Sequence, residues 1–212
     1  MPFLYSMSPT SSIHAGIWYV SEPVEELMAL VSLDDEDYSI VDTYKNIHRK
    51  KQWLGYRALI QHLLAGSSSK IIYDPNGKPL LASGSHHISS SHAGDYAAAV
   101  ISDQVKVGID IELIRPRIER VKDRFLSIAE LSALPAEHTL EHLYYHWCSK
   151  EALYKLHGLP GVDFRNDIHV HPIDYFCNPK GRGRATLVLE KETEEHLLYY
   201  ERQGEWMLVV AY

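Results

Sequence analysis

Cysteine is almost absent. The chain has only Cys148 and Cys177, too few for a disulfide framework or a cysteine-rich zinc site, and a reducing compartment is the simplest setting. Long apolar runs are also missing: none approaches the ~18 residues of a membrane-spanning helix. No Lys or Arg precedes Lys45, while that stretch holds Glu22, Glu25, Glu26, Asp34, Asp35, Glu36, Asp37 and Asp42. Such a start is unlike a signal or transit peptide, so a cytoplasmic location is expected. With 21 Lys+Arg against 28 Asp+Glu the net charge is −7, which excludes a generally basic nucleic-acid binder. Low-complexity tracts are lacking too. The 212 residues therefore make one ordinary domain or two small ones.

What is present reads as a mixture of strands and helices. Ile17 to Val20 is a short apolar strand, and Pro23 opens a helix carrying Leu27, Leu30 and Val31. Residues 43–65 read as one long helix with a basic first half (Lys45, Arg49, Lys50, Lys51, Arg57), ended by Gly66 and three serines. Asp74-Pro75-Asn76-Gly77 is a turn. Tyr96–Ile101 and Val105–Ile111 are β-rich and are expected to pair as a hairpin across Ser102-Asp103-Gln104. Helices are expected over 118–133 and 137–157, then strands at 168–173, 185–190, 196–201 and 206–211, the last two a hairpin around Gln203-Gly204. Trp53-Leu-Gly-Tyr-Arg-Ala-Leu echoes Trp147-Cys-Ser-Lys-Glu-Ala-Leu, which suggests two related halves meeting near residue 104. Both tryptophans should then be buried, with Ile109 and Ile111 in the core.

Four groups of residues could carry chemistry. In Val107-Gly108-Ile109-Asp110-Ile111-Glu112, strand alternation puts Asp110 and Glu112 on one face. Two carboxylates beside a glycine that leaves room for a ligand suit a hard cation, and equally a solvated edge. In the helix that follows, Trp147, Glu151 and Lys155 fall within about 80° of one another. Glu151 and Lys155 make either an ordinary i,i+4 ion pair or an acid and an amine holding metal and phosphate. Ser89-Ser90-Ser91-His92 reads as a loop entering the next strand. A Ser-His dyad between neighbours is disfavoured, so a hydroxyl and an imidazole donating to phosphate is the functional alternative to a polar loop. The cations Lys45, Arg49, Lys50, Lys51 and Arg57, with Lys78 after its turn, bind phosphate or form a solvated face.

His138, His142 and His146 recur at the spacing of helical zinc ligands. On the helical wheel they lie opposite Trp147, Glu151 and Lys155. They are read as a solvent-exposed stripe, and His86-His87 as loop surface.

Gly108-Ile109-Asp110 precedes Trp147-Cys148-Ser149-Lys150-Glu151-Ala152-Leu153-Tyr154-Lys155 by about forty residues. This pairing resembles the signature of the 4′-phosphopantetheinyl transferases, G-[IV]-D and then W-[CS]-x-K-E-[AS]-x-x-K, and is most similar to the Sfp type of holo-carrier-protein synthase. The serine-histidine segment and Gly77-Lys78-Pro79 look like that family's upstream motifs, so the resemblance spans residues 45–157. It implies an α/β (α+β) fold of two similar halves related by a pseudo-two-fold axis. An N-terminal half, 1–104, would give coenzyme A contacts, and a C-terminal half, 105–212, would give the metal site and catalytic helix.

The implied reaction moves the 4′-phosphopantetheine arm of coenzyme A to a serine of an apo acyl or peptidyl carrier protein, with Mg²⁺, releasing 3′,5′-ADP. The resemblance implies Asp110, Glu112 and Glu151 as metal ligands. Glu151, directly or through a metal-held water, would be the base. Lys155 and Lys150 would face the phosphates, and Ser91, His92 and Lys78 would contact coenzyme A. Arg49 and Lys51 would reach its 3′-phosphate, the choice among the cations of that helix staying open. Expected partners are the carrier protein and coenzyme A, with no nucleic acid or membrane, and the chain is expected to be a monomer. The pathway (fatty acid, polyketide, nonribosomal peptide or siderophore) is open. Two alternatives are an inactive relative that binds coenzyme A or a carrier, and a metal-dependent hydrolase of coenzyme A-like pyrophosphates.

Overall fold

Strands buried on both faces, β-rich in sequence, and the long helices packed on them build two units, Met1–Val105 and Lys106–Tyr212. The computed structural model describes residues 3–66, 70–158, 160–173, 179–189 and 192–212. Cys177, Ser67–Ser69 and Glu190, all part of the sequence reading, lie outside the described residues.

In the first unit β1 (Phe3–Thr10) and β2 (Ile13–Tyr19) form a hairpin. Helix α1 is Val24–Leu30. The helix expected over 43–65 forms as a single helix with a later start, and a helix that the sequence reading lacked precedes it. Helix α2 (Asp35–Thr43) is started by a capping box between Asp34 and Asp37. Helix α3 (Ile47–Leu63) starts at Asn46, whose side chain accepts from the His48 and Arg49 amides. Each cap satisfies amides that a helix start leaves open, and the second fixes a new start just past the basic Lys45. A small hairpin follows, β3 (Ile71–Tyr73) and β4 (Pro79–Leu81). Then come β5 (His87–Ala93) and β6 (Tyr96–Ser102), giving a sheet of order β1-β2-β6-β5. Helix α3 packs on β6 and β2. Ala97 and Ala99, both fully buried, let Trp53, Leu54 and Leu59 close on the sheet.

The second unit opens with β7 (Gly108–Leu113). A 3₁₀ turn at Pro116–Arg120 and short helices α4 (Lys122–Phe125) and α5 (Ile128–Ala133) replace the helix expected over 118–133. Helix α6 (Thr139–His157) is closed by Gly158 in the left-handed region, φ 68°. Strands β8 (Ile168–Val170), β9 (Lys180–Leu189), β10 (Glu192–Gln203) and β11 (Trp206–Ala211) complete a sheet of order β7-β11-β10-β9-β8. The expected hairpin around Gln203-Gly204 is present, with Gln203 opposite Trp206.

The hairpin expected between residues 96 and 111 does not form. Both edges of β6 are taken, by β2 and β5, and β7 pairs with β11. The Ser102 hydroxyl accepts from the Gln104 and Val105 amides and ends β6, so the polar link joins the two units.

Candidate active site

Gly108 fixes how closely α6 approaches β7. A Cβ there would stand 1.9 Å from the Ala152 carbonyl oxygen and 2.8 Å from the Leu156 amide, so only a residue without a side chain fits beneath the helix backbone. The space read from sequence as room for a ligand is therefore filled by α6. Strand alternation then aims Asp110 and Glu112 at the helix, and sends Ile109 and Ile111 to the other face, fully buried.

The helix answers with Trp147, Glu151 and Lys155, one turn apart. Lys155 Nζ donates to Asp110 Oδ1 at 2.7 Å and to the Ile109 carbonyl at 3.2 Å. Trp147 Nε1 donates to Glu112 Oε1 at 3.3 Å. Trp53 is buried as expected. Trp147 is only partly buried, because its indole turns its N–H toward Glu112 while its ring packs on Phe125 and Phe164. For Glu151 and Lys155, where an ordinary i,i+4 pair and a joint hold on metal and phosphate were both open, the ammonium is held by Asp110.

Burial and the charge of Asp110 push the Glu151 carboxyl up to about 7, with Lys155 opposing and Glu112 adding. Glu112 is raised as well, by burial and then by Asp110, against the Trp147 hydrogen bond. Burial, followed by the charges of Asp110 and Glu112, pushes the Cys148 thiol well above its ordinary range. Cys148 is thus a packed side chain and no nucleophile. Beside Glu112 a cavity of about 360 Å³ is lined by Arg117, Arg120, Val121, Tyr144 and Trp147.

The donor set fits a hard divalent cation. All three candidate ligands are carboxylates, and their mutual repulsion, visible in Glu112 and Glu151, is what such an ion relieves. Their ligand oxygens do not gather within 4.8 Å of one another as a set of three. Mg²⁺ does not require that, because it takes one or two carboxylates and completes its shell with phosphate and water.

Lys150 is a correction. Its side chain is fully buried on α6, and Nζ donates to Glu130 Oε2 at 2.8 Å, the Phe164 carbonyl at 2.7 Å and the Ile168 carbonyl at 2.6 Å. Three acceptors use all three ammonium hydrogens, so none is left for a phosphate. Glu130 is the residue the sequence reading missed. It closes the Ser127 capping box, accepts from the Val170 amide and pairs with Lys150. Burial raises its carboxyl, and the Lys150 charge and hydrogen bond more than reverse that. The Ser-x-x-Glu spacing at 127–130 was the available signal.

The histidine stripe is a second correction. His142 and His146 are buried, and only His138 is exposed, at the helix start. The face of α6 opposite the carboxylates packs against α5 and β8, lining a cavity of about 490 Å³ with Glu130, His169 and Val170. Burial pushes His146 down to about 4, and its Nδ1 donates to the His142 carbonyl at 2.8 Å.

In the first unit the Ser-His segment is strand β5 rather than a loop. Ser91 is buried and His92 exposed, because neighbours on a strand face opposite ways. Arg49 Nη1 lies 3.2 Å from His92 Nε2, so one of the helix cations and the imidazole are brought together without Ser91. Beside them Gln52 donates to the Gly94 carbonyl at 3.0 Å. Lys51 is half-buried, about 200° round α3 from Arg49. Lys78 begins the approach to β4, its amide held by Asp74 Oδ1. Lys50 reaches toward Asp42 at 3.8 Å. Arg57 is spent in the core, paired with Asp37 at 3.1 Å and stacked 3.7 Å over the Trp53 ring.

A family model described as the 4′-phosphopantetheinyl transferase superfamily matches residues 106–211, the unit that holds the carboxylates and α6. The chain is 37% identical over 116 residues to the 4′-phosphopantetheinyl transferase AcpT of Escherichia coli (strain K12), covering 52% of this chain and 59% of AcpT. It is 32% identical over 145 residues to the 4′-phosphopantetheinyl transferase psf-1 of Bacillus pumilus, covering 64% and 61%. It is 24% identical over 165 residues to the 4′-phosphopantetheinyl transferase HetI of Nostoc sp., covering 70% of each. The match thus spans about three fifths of the length of AcpT and psf-1.

Proposed function

The chain belongs to the 4′-phosphopantetheinyl transferase superfamily, and from that premise we propose that it transfers the 4′-phosphopantetheine arm of coenzyme A to a serine of an apo acyl or peptidyl carrier protein, releasing 3′,5′-ADP. The observation that carries the reading is the α6–β7 face. There Lys155 is held on Asp110 at 2.7 Å beside a Glu151 whose carboxyl is pushed up to about 7.

Each residue has a task suited to its surroundings. Glu151, half-ionised near neutral pH, takes the proton from the carrier serine as its oxygen attacks the β-phosphorus of coenzyme A. Lys155, oriented by Asp110, donates to the departing phosphate oxygen of 3′,5′-ADP, where negative charge grows. Asp110, Glu112 and Glu151 would supply the one or two carboxylates that hold Mg²⁺, which when bound neutralises pyrophosphate charge. The cavity beside Glu112, with an apolar wall and the guanidinium of Arg117, supports room for a substrate next to the carboxylates. Arg49 and His92 are assigned to a phosphate of coenzyme A, with Lys51 and Lys78 as further cations. The reading takes the protein as a cytoplasmic monomer without nucleic-acid or membrane partners. No helix among the described residues is long and apolar enough to cross a membrane.

Incubation with coenzyme A, Mg²⁺ and an apo carrier protein, followed by mass spectrometry of the carrier, tests this. A phosphopantetheine adduct is expected. Unmodified carrier with bound coenzyme A would point to a binding relative, and cleaved coenzyme A with unmodified carrier to a hydrolase.

A further inference from the structure

Two residues beyond Lys155, α6 ends in a second set of ligand-type side chains. His157 is its last helical residue, fixed there by the turn at Gly158. Glu194 and His196 stand two apart on β10 and so share one face of the sheet, the face that meets His157. His157 Nε2 lies 3.1 Å from His196 Nε2, and Glu194 Oε2 lies 3.7 Å from the first and 3.4 Å from the second. Among the described residues, this is the group of three His, Cys, Asp or Glu whose ligand atoms lie within 4.8 Å of one another.

We propose that His157, Glu194 and His196 form a zinc site, separate from the carboxylate face that binds the hard cation. The point equidistant from the three atoms lies about 2.0 Å from each, which is the length of a zinc bond to imidazole nitrogen or carboxylate oxygen. Two imidazoles and one carboxylate are borderline donors that favour Zn²⁺ over Mg²⁺ or Ca²⁺. The site is also built rather than casual. Both histidine side chains are 12% exposed, their rings are set at 89° with centroids 4.9 Å apart, and they come from two different elements. The 51% exposed Glu194 side chain leaves a fourth position to solvent. Burial also holds His196 below its ordinary pKa, against the Glu194 charge, which favours the neutral imidazole that ligates. An ion here clasps the end of the helix carrying Glu151 and Lys155 to β10. The inference does not depend on the transferase reading, since it concerns binding and stability alone.

The test is calorimetric titration of the metal-free full chain with Zn²⁺ in excess Mg²⁺, so that the carboxylate face is already supplied. One equivalent of zinc should bind, and saturating zinc should raise the thermal unfolding midpoint. Replacing zinc by Co²⁺ should give the visible absorption of a four-coordinate nitrogen–oxygen site. His157→Gln and His196→Gln should each weaken zinc binding at least tenfold, as should Glu194→Gln, whose exposed side chain makes a folded variant secure. No uptake by the wild-type chain would overturn the proposal. Uptake undiminished in Glu194→Gln and the histidine variants would overturn it too, by placing the zinc elsewhere.

Discussion

Lys155 Nζ sits 2.7 Å from Asp110 Oδ1, and the Asp110 side chain is buried while the Lys155 side chain is 28% exposed. The pair is therefore anchored at one end and reachable at the other. An ammonium held this way costs little further ordering when a phosphate arrives, because its orientation is already set.

Asp110→Ala should leave a folded chain with almost no transfer. It removes a carboxylate from the cation site and the anchor from Lys155 together. Several kcal/mol of transition-state stabilisation can go with them, at tenfold in rate per 1.36 kcal/mol. The loss should appear in kcat with partial recovery in excess Mg²⁺, since coenzyme A keeps its cationic contacts. Normal turnover at low Mg²⁺ would remove Asp110 from the site.

Gly108→Ala should destabilise the second unit without touching a charged group. The new methyl meets backbone atoms of α6, not a side chain that can swing away. Overpacking commonly costs about 1–3 kcal/mol, and a rigid helix puts this case at or above the upper end. Urea unfolding checks it. A variant as stable as the parent would mean that α6 does not approach β7 this closely.

Lys150→Met should lower stability by about 3–5 kcal/mol, the range for leaving one partner of a buried ion pair alone. The KM for coenzyme A in the folded fraction should stay where it was. A KM that rises with stability intact would return Lys150 to the phosphates and reverse the correction made above.

His92→Ala should weaken coenzyme A binding by about 1.5–3 kcal/mol, the range for a hydrogen bond to a charged group. Arg49→Ala should do at least as much, since the two side chains meet at 3.2 Å. The double variant should lose less than the sum, as neighbours sharing one ligand are not additive. Unchanged affinity in calorimetry would leave the contact as surface packing.

The sequence made the short-range features legible. Asp110 and Glu112 share a face because strands alternate, and Trp147, Glu151 and Lys155 share one because helices turn every 3.6 residues. The hairpin at 203–206 was readable for the same reason. What stayed hidden depended on partners far along the chain. Nothing near Val107 announces that β7 pairs with β11, and a lysine in a helix gives no sign that it will find Glu130 twenty residues earlier. The histidines at 142 and 146 misled because a polar face of a helix was taken to be a wet one. His157 and His196 are 39 residues apart and meet only once β10 is laid beside the end of α6.

Glu151 ties stability and activity to pH in opposite directions. Its carboxyl is raised in the fold from 4.5 to about 7, so between those values the folded chain holds a proton that the unfolded chain has released. Ionising it costs the fold. Its contribution is best below the unfolded value and is lost as pH rises through about 7, by on the order of 3 kcal/mol at 1.36 kcal/mol per pKa unit. Glu151→Gln keeps the shape and removes the titration, so its stability advantage over the parent should grow from pH 5 to pH 8 and then level. Activity should run the other way, because a base must be ionised to accept a proton. In the parent kcat/KM should climb through pH 7, and in Glu151→Gln it should be low and flat. Added Mg²⁺ should move the activity midpoint to lower pH, since a cation beside the carboxylates favours their charged form. Denaturant titrations of both proteins at the two pH values, with and without Mg²⁺, measure the first effect, and a pH–rate profile measures the second. A stability difference independent of pH would mean that Glu151 is an ordinary solvated acid, and the assignment of the base would fall with it.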